Sequence, residues 1–146
     1  MAFHFVLAPL LRLRESVERQ RALRLREASV RVIQMQDRLE QLDRFLKDSE
    51  ARDEQHLRAG VKAVELQFAV MSRGQVERLK TEWQDELRNL ESARQKAAEE
   101  YQQAYRESEA LETLRQQQRR QYQKEDLRRQ QRDLDVVFLL QHWRNR

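Results

Sequence analysis

His4, His56 and His142 are the side chains best suited to hold a transition metal, yet they are scattered along the chain. No two of them have the spacing that would put a pair of imidazoles on one helix face. Without cysteine the chain has no thiolate ligand, no disulfide framework and no sulfur nucleophile. Carboxylate pairs such as Asp53 with Glu54 and Glu99 with Glu100 could serve acid–base chemistry only if one partner were desolvated. On a polar helix they act instead as solubilising groups and as i,i+4 partners for bases. No glycine-rich phosphate loop and no nucleophile with an adjacent base occurs. The reading predicts no catalytic residue, no cofactor and no metal, so function falls to the surfaces that long elements present to partners.

Those elements are helices. Between 76 and 114 the alternating 3- and 4-residue spacing of a coiled-coil seam falls on Val76, Leu79, Trp83, Glu86, Leu90, Ala93, Ala97, Glu100, Ala104, Glu107, Leu111 and Leu114. Nine of these twelve positions are apolar, and the residues off the seam are mostly Glu, Gln, Arg and Lys. A helix with one narrow apolar stripe needs a partner. Leu25, Ala28, Val32, Met35, Leu39, Leu42 and Leu46 supply one, keeping the same spacing for about three heptads. Between the two runs, residues 48–60 lose the stripe, gain Asp, Ser and Glu, and end in Gly60, which suits the left-handed turn that closes a helix.

The expected fold is all-α: one antiparallel coiled-coil hairpin over residues 1–146. Its helices are expected at 9–55 and 62–143 with a tip at 56–61, and the second overhangs the first. At 1.5 Å per residue the arms would run about 70 and about 120 Å. A reversal near residue 58 would bring Leu46 near Met71, Leu39 near Leu79, Leu25 near Ala93 and Leu10 near Ser108. Pro9 suits a first helical turn. Leu10, Leu13 and Val17 then open the first helix, and the stripe is expected to slip at Arg21 and Arg24 before Leu25 restarts it. Gly74 lies inside the second helix at a cost of about 1 kcal/mol relative to Ala.

Composition agrees with long helices. Of the 146 residues 37% are charged, and there are only two Gly and one Pro, too few turn-formers for a compact many-element fold. Disorder is the competing reading for so polar a chain, and the regular stripes weigh against it. The opening Phe3-x-Phe5-x-Leu7 stretch lacks a basic lead and a long apolar run, so neither a signal peptide nor a membrane span is expected, and a cytoplasmic location follows. The net charge of +4 conceals an asymmetry. Residues 1–32 carry seven Arg against three acids and residues 113–146 nine bases against four acids, leaving the two ends at +9 and the middle at −5.

Two segments stand apart from the seam. The Phe3, Phe5, Leu7 lead is either a frayed terminus or an apolar tag that packs on the helices or on a partner. At the other end Leu134, Val136, Val137, Phe138, Leu139, Leu140 and Trp143 are apolar around most of a helix circumference, which normally means burial on several sides. A receiving partner is the preferred explanation, with a frayed or self-dimerising tail as the alternative. A basic nucleic-acid-binding coil is a further alternative, given a pI near 9.7. Its bases are interleaved with Gln and acids, however, and its aromatics form no stacking platform. Nucleic-acid binding is therefore not expected, and direct membrane insertion is not expected either, because residues 134–143 are too short for a membrane-surface helix.

The chain resembles the FliJ family of flagellar export proteins and its type III secretion stalk relatives. The resemblance rests on the opening Phe3, Phe5, Leu7, Leu10, Leu11, Leu13, Arg14 and Glu15, on Gly60, Val61, Glu65, Leu66 and Gln67, and on Leu111, Glu112, Leu114, Arg115, Tyr122, Glu125, Arg129, Gln130, Leu134 and Asp135. Val136 stands where an acid is common. The resemblance implies an antiparallel two-helix coiled coil similar to the gamma subunit of rotary ATP synthases. It also implies a non-enzymatic coupling stalk at the cytoplasmic face of the inner membrane. Its paired ends would enter a hexameric export ATPase ring through Arg12, Arg14, Leu134, Val137, Phe138, Leu140 and Trp143. Its hairpin flank would meet the membrane export gate FlhA through Leu42, Phe45, Val76, Leu79 and Trp83, while Arg38, Ser49 and Ser72 depart from the side chains that patch usually carries. Export chaperones are further candidate partners. The alternative from the residues alone is a structural or dimerising coiled coil.

Overall fold

A computed structural model describes residues 2–146 as two helices, α1 (Ala8–Ala59) and α2 (Ala63–Arg144), that pack against each other as a helical hairpin. Long stretches of Glu, Gln, Arg, Ala and Leu favour helix throughout. Pairs along the helix add local support, with the acid preceding the base in Glu40–Arg44, Asp43–Lys47 and Glu54–Arg58. The last of these pairs carries α1 through the Asp/Glu-rich stretch read as a tip. His56 and Arg58 also lie in its last turn, where positive charge meets the helix C-terminus. The helix therefore continues to Ala59, and only Gly60, Val61 and Lys62 turn the chain. Gly60 has φ of 84°, the only positive φ among the described residues, and its N–H donates to the Leu57 carbonyl at 3.4 Å.

Residues 20–101 form one compact unit. On its α1 side the run Leu25, Ala28, Val32, Met35, Leu39, Leu42 and Leu46 is buried or half-buried at every position, and Val32 is fully enclosed. On its α2 side the stripe has a different phase from the one the sequence reading assigns. Val76, Trp83 and Leu90 face inward as expected, but their companions are Lys80 and Leu87, whereas Leu79, Glu86 and Ala93 are exposed. Both frames share every seventh residue, and the observed one takes the next residue along in between. The expected slip at Arg21 and Arg24 does not occur either. Arg21 keeps the heptad spacing and donates to Glu100 at 2.8 Å.

Residues up to 19 together with 102–146 form the second unit. Here Leu11, rather than Leu10 or Leu13, is the buried leucine of α1, and Ala104 and Ser108 are buried on α2. Counting back from Leu25 in sevens reaches Glu18 and then Leu11, so the sequence spacing is unbroken once polar members are admitted. Arg14, on that spacing, donates to Glu107 at 2.5 Å. The Phe3, Phe5, Leu7 lead is not frayed. Phe5 is buried, and the Phe3 ring lies 5.7 Å from that of Tyr122 at a tilted 49°.

The phase of the seam gives a direct test on adjacent residues. Val32→Ala should cost about 2 kcal/mol of stability through lost burial and a residual cavity, whereas Ile33→Ala, on the solvent side, should cost less than about 0.5 kcal/mol. Urea denaturation monitored by circular dichroism compares the two.

Candidate partner-binding surfaces

Charged side chains complete the seam. Within the unit of residues 20–101, Arg73 reaches Asp53, Lys80 reaches Asp43 at 2.9 Å, and Arg21 reaches Glu100. These pairs join each α1 residue to a partner several residues further along α2 than a reversal at 58 would give, as the later turn at Gly60 requires. Hydrogen bonds from Lys80 and Lys47, reinforced by their positive charge, hold the Asp43 carboxyl below the ordinary carboxylate range. Arg73 is the most enclosed of these cations, and its Nε is buried without a partner.

The side chains assigned to a gate fall into two groups. Leu42, Val76 and Trp83 are half-buried at the seam, where they hold the two helices together. Phe45 and Leu79 face outward, with 52% and 37% of their surface exposed. A third set lies nearby in the sequence, and the sequence reading does not single it out. Val64, Phe68 and Met71 are largely exposed at the start of α2, where residues 63–71 carry Glu65 as their single charge. The i, i+4, i+7 spacing and the missing charges are the available signal, obscured by closeness to the turn.

Of the side chains assigned to a ring, Arg12 is exposed, whereas Arg14 is committed to Glu107. Leu134, Val137, Phe138, Leu140 and Trp143 are all exposed, Trp143 by 81%. From residue 127 onward every residue of α2 is exposed, and the Phe3 lead reaches only as far as Tyr122. Among the described residues no cluster of His, Asp or Glu is placed to hold a metal ion, and no helix is long and apolar enough to cross a membrane.

These features define an all-α hairpin with exposed apolar side chains on its outward faces and a bare helix end. The chain matches the family described as Flagellar FliJ protein over residues 3–146. It belongs to the flagellar FliJ family and is a component of the flagellar export apparatus. No curated protein and no solved structure matches it.

Acid titration checks the seam's electrostatics. A carboxylate whose folded pKa is lowered adds stability above its unfolded value, near 4, and loses it as pH falls through the folded value. Asp43→Asn should therefore flatten the loss of stability below about pH 4. An acid limb unchanged by the substitution would show that the lysines contribute nothing through Asp43.

Proposed function

We propose that this chain is a coupling stalk, which binds the hexameric export ATPase through its terminal segments and the export gate through its hairpin flank. The observation that carries the reading is the bare C-terminal stretch of α2. Leu134, Val137, Phe138, Leu140 and Trp143 are apolar and solvent-exposed on a helix in a chain that is otherwise highly charged. Exposed apolar surface of this kind marks a site of association. An opening lined on all sides, such as the pore of a ring, would cover such a helix around its circumference. The excess of bases in residues 113–146 would draw it toward an acidic entrance. Arg12 remains free to contribute at the same unit, while Arg14 serves the hairpin itself.

The gate side of the proposal rests on Phe45 and Leu79, which are exposed large apolar residues flanking the half-buried Leu42, Val76 and Trp83. The protein supplies contact and geometry here, and the chemistry of ATP hydrolysis belongs to its partner. Action at the cytoplasmic face of the inner membrane, and engagement of export chaperones, belong to the same proposal.

Deletion of residues 134–146 should abolish co-sedimentation with the assembled export ATPase while leaving the helicity of the remaining chain unchanged. Ring binding that survives the deletion would refute the terminal contact. Phe45→Ala should weaken binding to the gate's cytoplasmic portion at least tenfold and leave ATPase binding untouched, measured by biolayer interferometry with the two partners in turn.

A further inference from the structure

In the unit that holds the two ends of the chain, Arg14 meets Glu107 across the helices and Arg115 meets Glu112 one turn along α2. Beyond Arg115 that pattern stops. Arg120, Lys124, Arg128 and Arg132 follow at four-residue steps, all exposed, and among the described residues none of them forms an ion pair. No acid stands three or four residues from Arg120 or Lys124. Like charges at this spacing weaken a helix, and here three such pairs follow one another. At 100° per residue the four bases lie within an arc of about 120° and span about 18 Å of α2. The buried Ser108 and Tyr122, which meets the Phe3 ring, mark the opposite side, about 180° and about 140° from the centre of that arc. On that opposite side Arg115, Arg119 and Arg129 are balanced by Glu112, Asp126 and Asp133. The surplus positive charge of this part of α2 therefore sits in one stripe, turned away from the rest of the hairpin.

We propose that Arg120, Lys124, Arg128 and Arg132 dock sideways onto a row of carboxylates on the wall of the export ATPase's opening, an inference that rests on the coupling-stalk reading above. Charge complementarity decides the chemistry of the occupant. Bases that repel one another and have no acid of their own are satisfied by an external anion, and the planar fork of arginine matches a carboxylate with two parallel hydrogen bonds. Between Arg120 and Arg132 no aromatic side chain lies on the arc, so the bases of a single nucleic-acid strand would find nothing to stack on. Glu125, which lines the same shallow groove as Arg120, Lys124 and Arg128, would repel a continuous phosphate backbone. A lipid surface requires large apolar side chains beside the bases, and Leu127 alone stands at the edge of the stripe. A protein surface with spaced carboxylates meets none of these objections. Geometry then limits the contact to one wall, because the opposite side of α2 carries no net charge over the same length. The stripe ends two residues before Leu134, so an opening that receives the last turns of α2 brings its rim alongside these bases.

The test compares two full-length triple variants of equal net charge, binding to the assembled export ATPase over a salt series. One carries Arg120→Gln, Lys124→Gln and Arg128→Gln; the other carries Arg115→Gln, Arg119→Gln and Arg129→Gln on the opposite side. Glutamine keeps the helix propensity, so circular dichroism should show unchanged helicity in both. At low salt the stripe variant should bind at least tenfold more weakly than wild type, a gap that closes as salt rises, while the opposite-side variant loses less than threefold. Equal losses in the two variants would mean that net charge alone matters, and the stripe would be refuted. Undiminished binding of the stripe variant, with binding still abolished by deletion of 134–146, would refute the sideways contact and leave the stalk reading in place. Failure of the wild-type chain to bind the ATPase would remove both. Should the stripe variant keep its ATPase affinity but lose a wild-type affinity for a short DNA duplex or for phosphatidylserine vesicles, the surface would belong to that anion and the proposal would be wrong.

Discussion

Within each unit a narrow seam holds the two helices together, and charge completes what apolar burial leaves unfinished. Among the described residues very few side chains are enclosed, and of the large ones only Val32 is fully so. Arg14 with Glu107 spans the two helices in one unit, and Arg21 with Glu100, Asp43 with Lys80, and Asp53 with Arg73 span them in the other. Each exposed pair is worth only about 0.2–1 kcal/mol. Their greater effect is on register, since sliding one helix by a single seam step separates every pair while still offering apolar residues to one another. The leucines and alanines supply attraction that tolerates such a slide, and the ion pairs make one alignment preferable.

The same division explains what can and cannot be seen in the sequence. On α1 the run from Leu25 to Leu46 is apolar at all seven positions, so its buried face is unambiguous. On α2 two interleaved frames share Val76, Trp83, Leu90, Ala97, Ala104 and Leu111, and differ by one residue in between. Apolar periodicity alone decides poorly between Leu79 and Lys80, because a lysine can lay its stem along a seam and put its ammonium against an acid. Leu87 beside Glu86 is the stronger clue. The glutamates admitted to the wrong frame, Glu100 and Glu107, are the partners of Arg21 and Arg14, and their place beside the seam follows only when the opposing helix is known.

The turn is misplaced for a related reason. Dense Asp, Glu and Ser before Gly60 resembles a loop by composition, yet acids followed four residues later by bases are also what a solvated helix contains. The hairpin is legible in outline because two long stripes need each other. Its turn falls a few residues later than composition suggests, because helix propensity and local pairing extend α1 beyond the last apolar seam position. Surface function is the least legible part. A seam residue and a partner-binding residue can be the same leucine in one dimension, and only exposure separates Leu79 and Phe45 from Leu42 and Val76.

The lead at residues 3–7 sharpens the case for an external partner at the other end of the chain. An apolar lead and an apolar tail on one protein could have covered one another, leaving nothing for a partner to do. Instead Phe5 is buried and Phe3 packs against Tyr122, so the lead is already committed before α2 reaches Leu134. Lengthening the contact would mean drawing Phe5 out of its burial to cover residues more than a turn further along. The Phe3 lead thus reaches as far as Tyr122 and leaves the last turns of α2 bare, beside a stretch in which bases outnumber acids. That partition, rather than hydrophobicity by itself, is what the proposed shaft reading rests on.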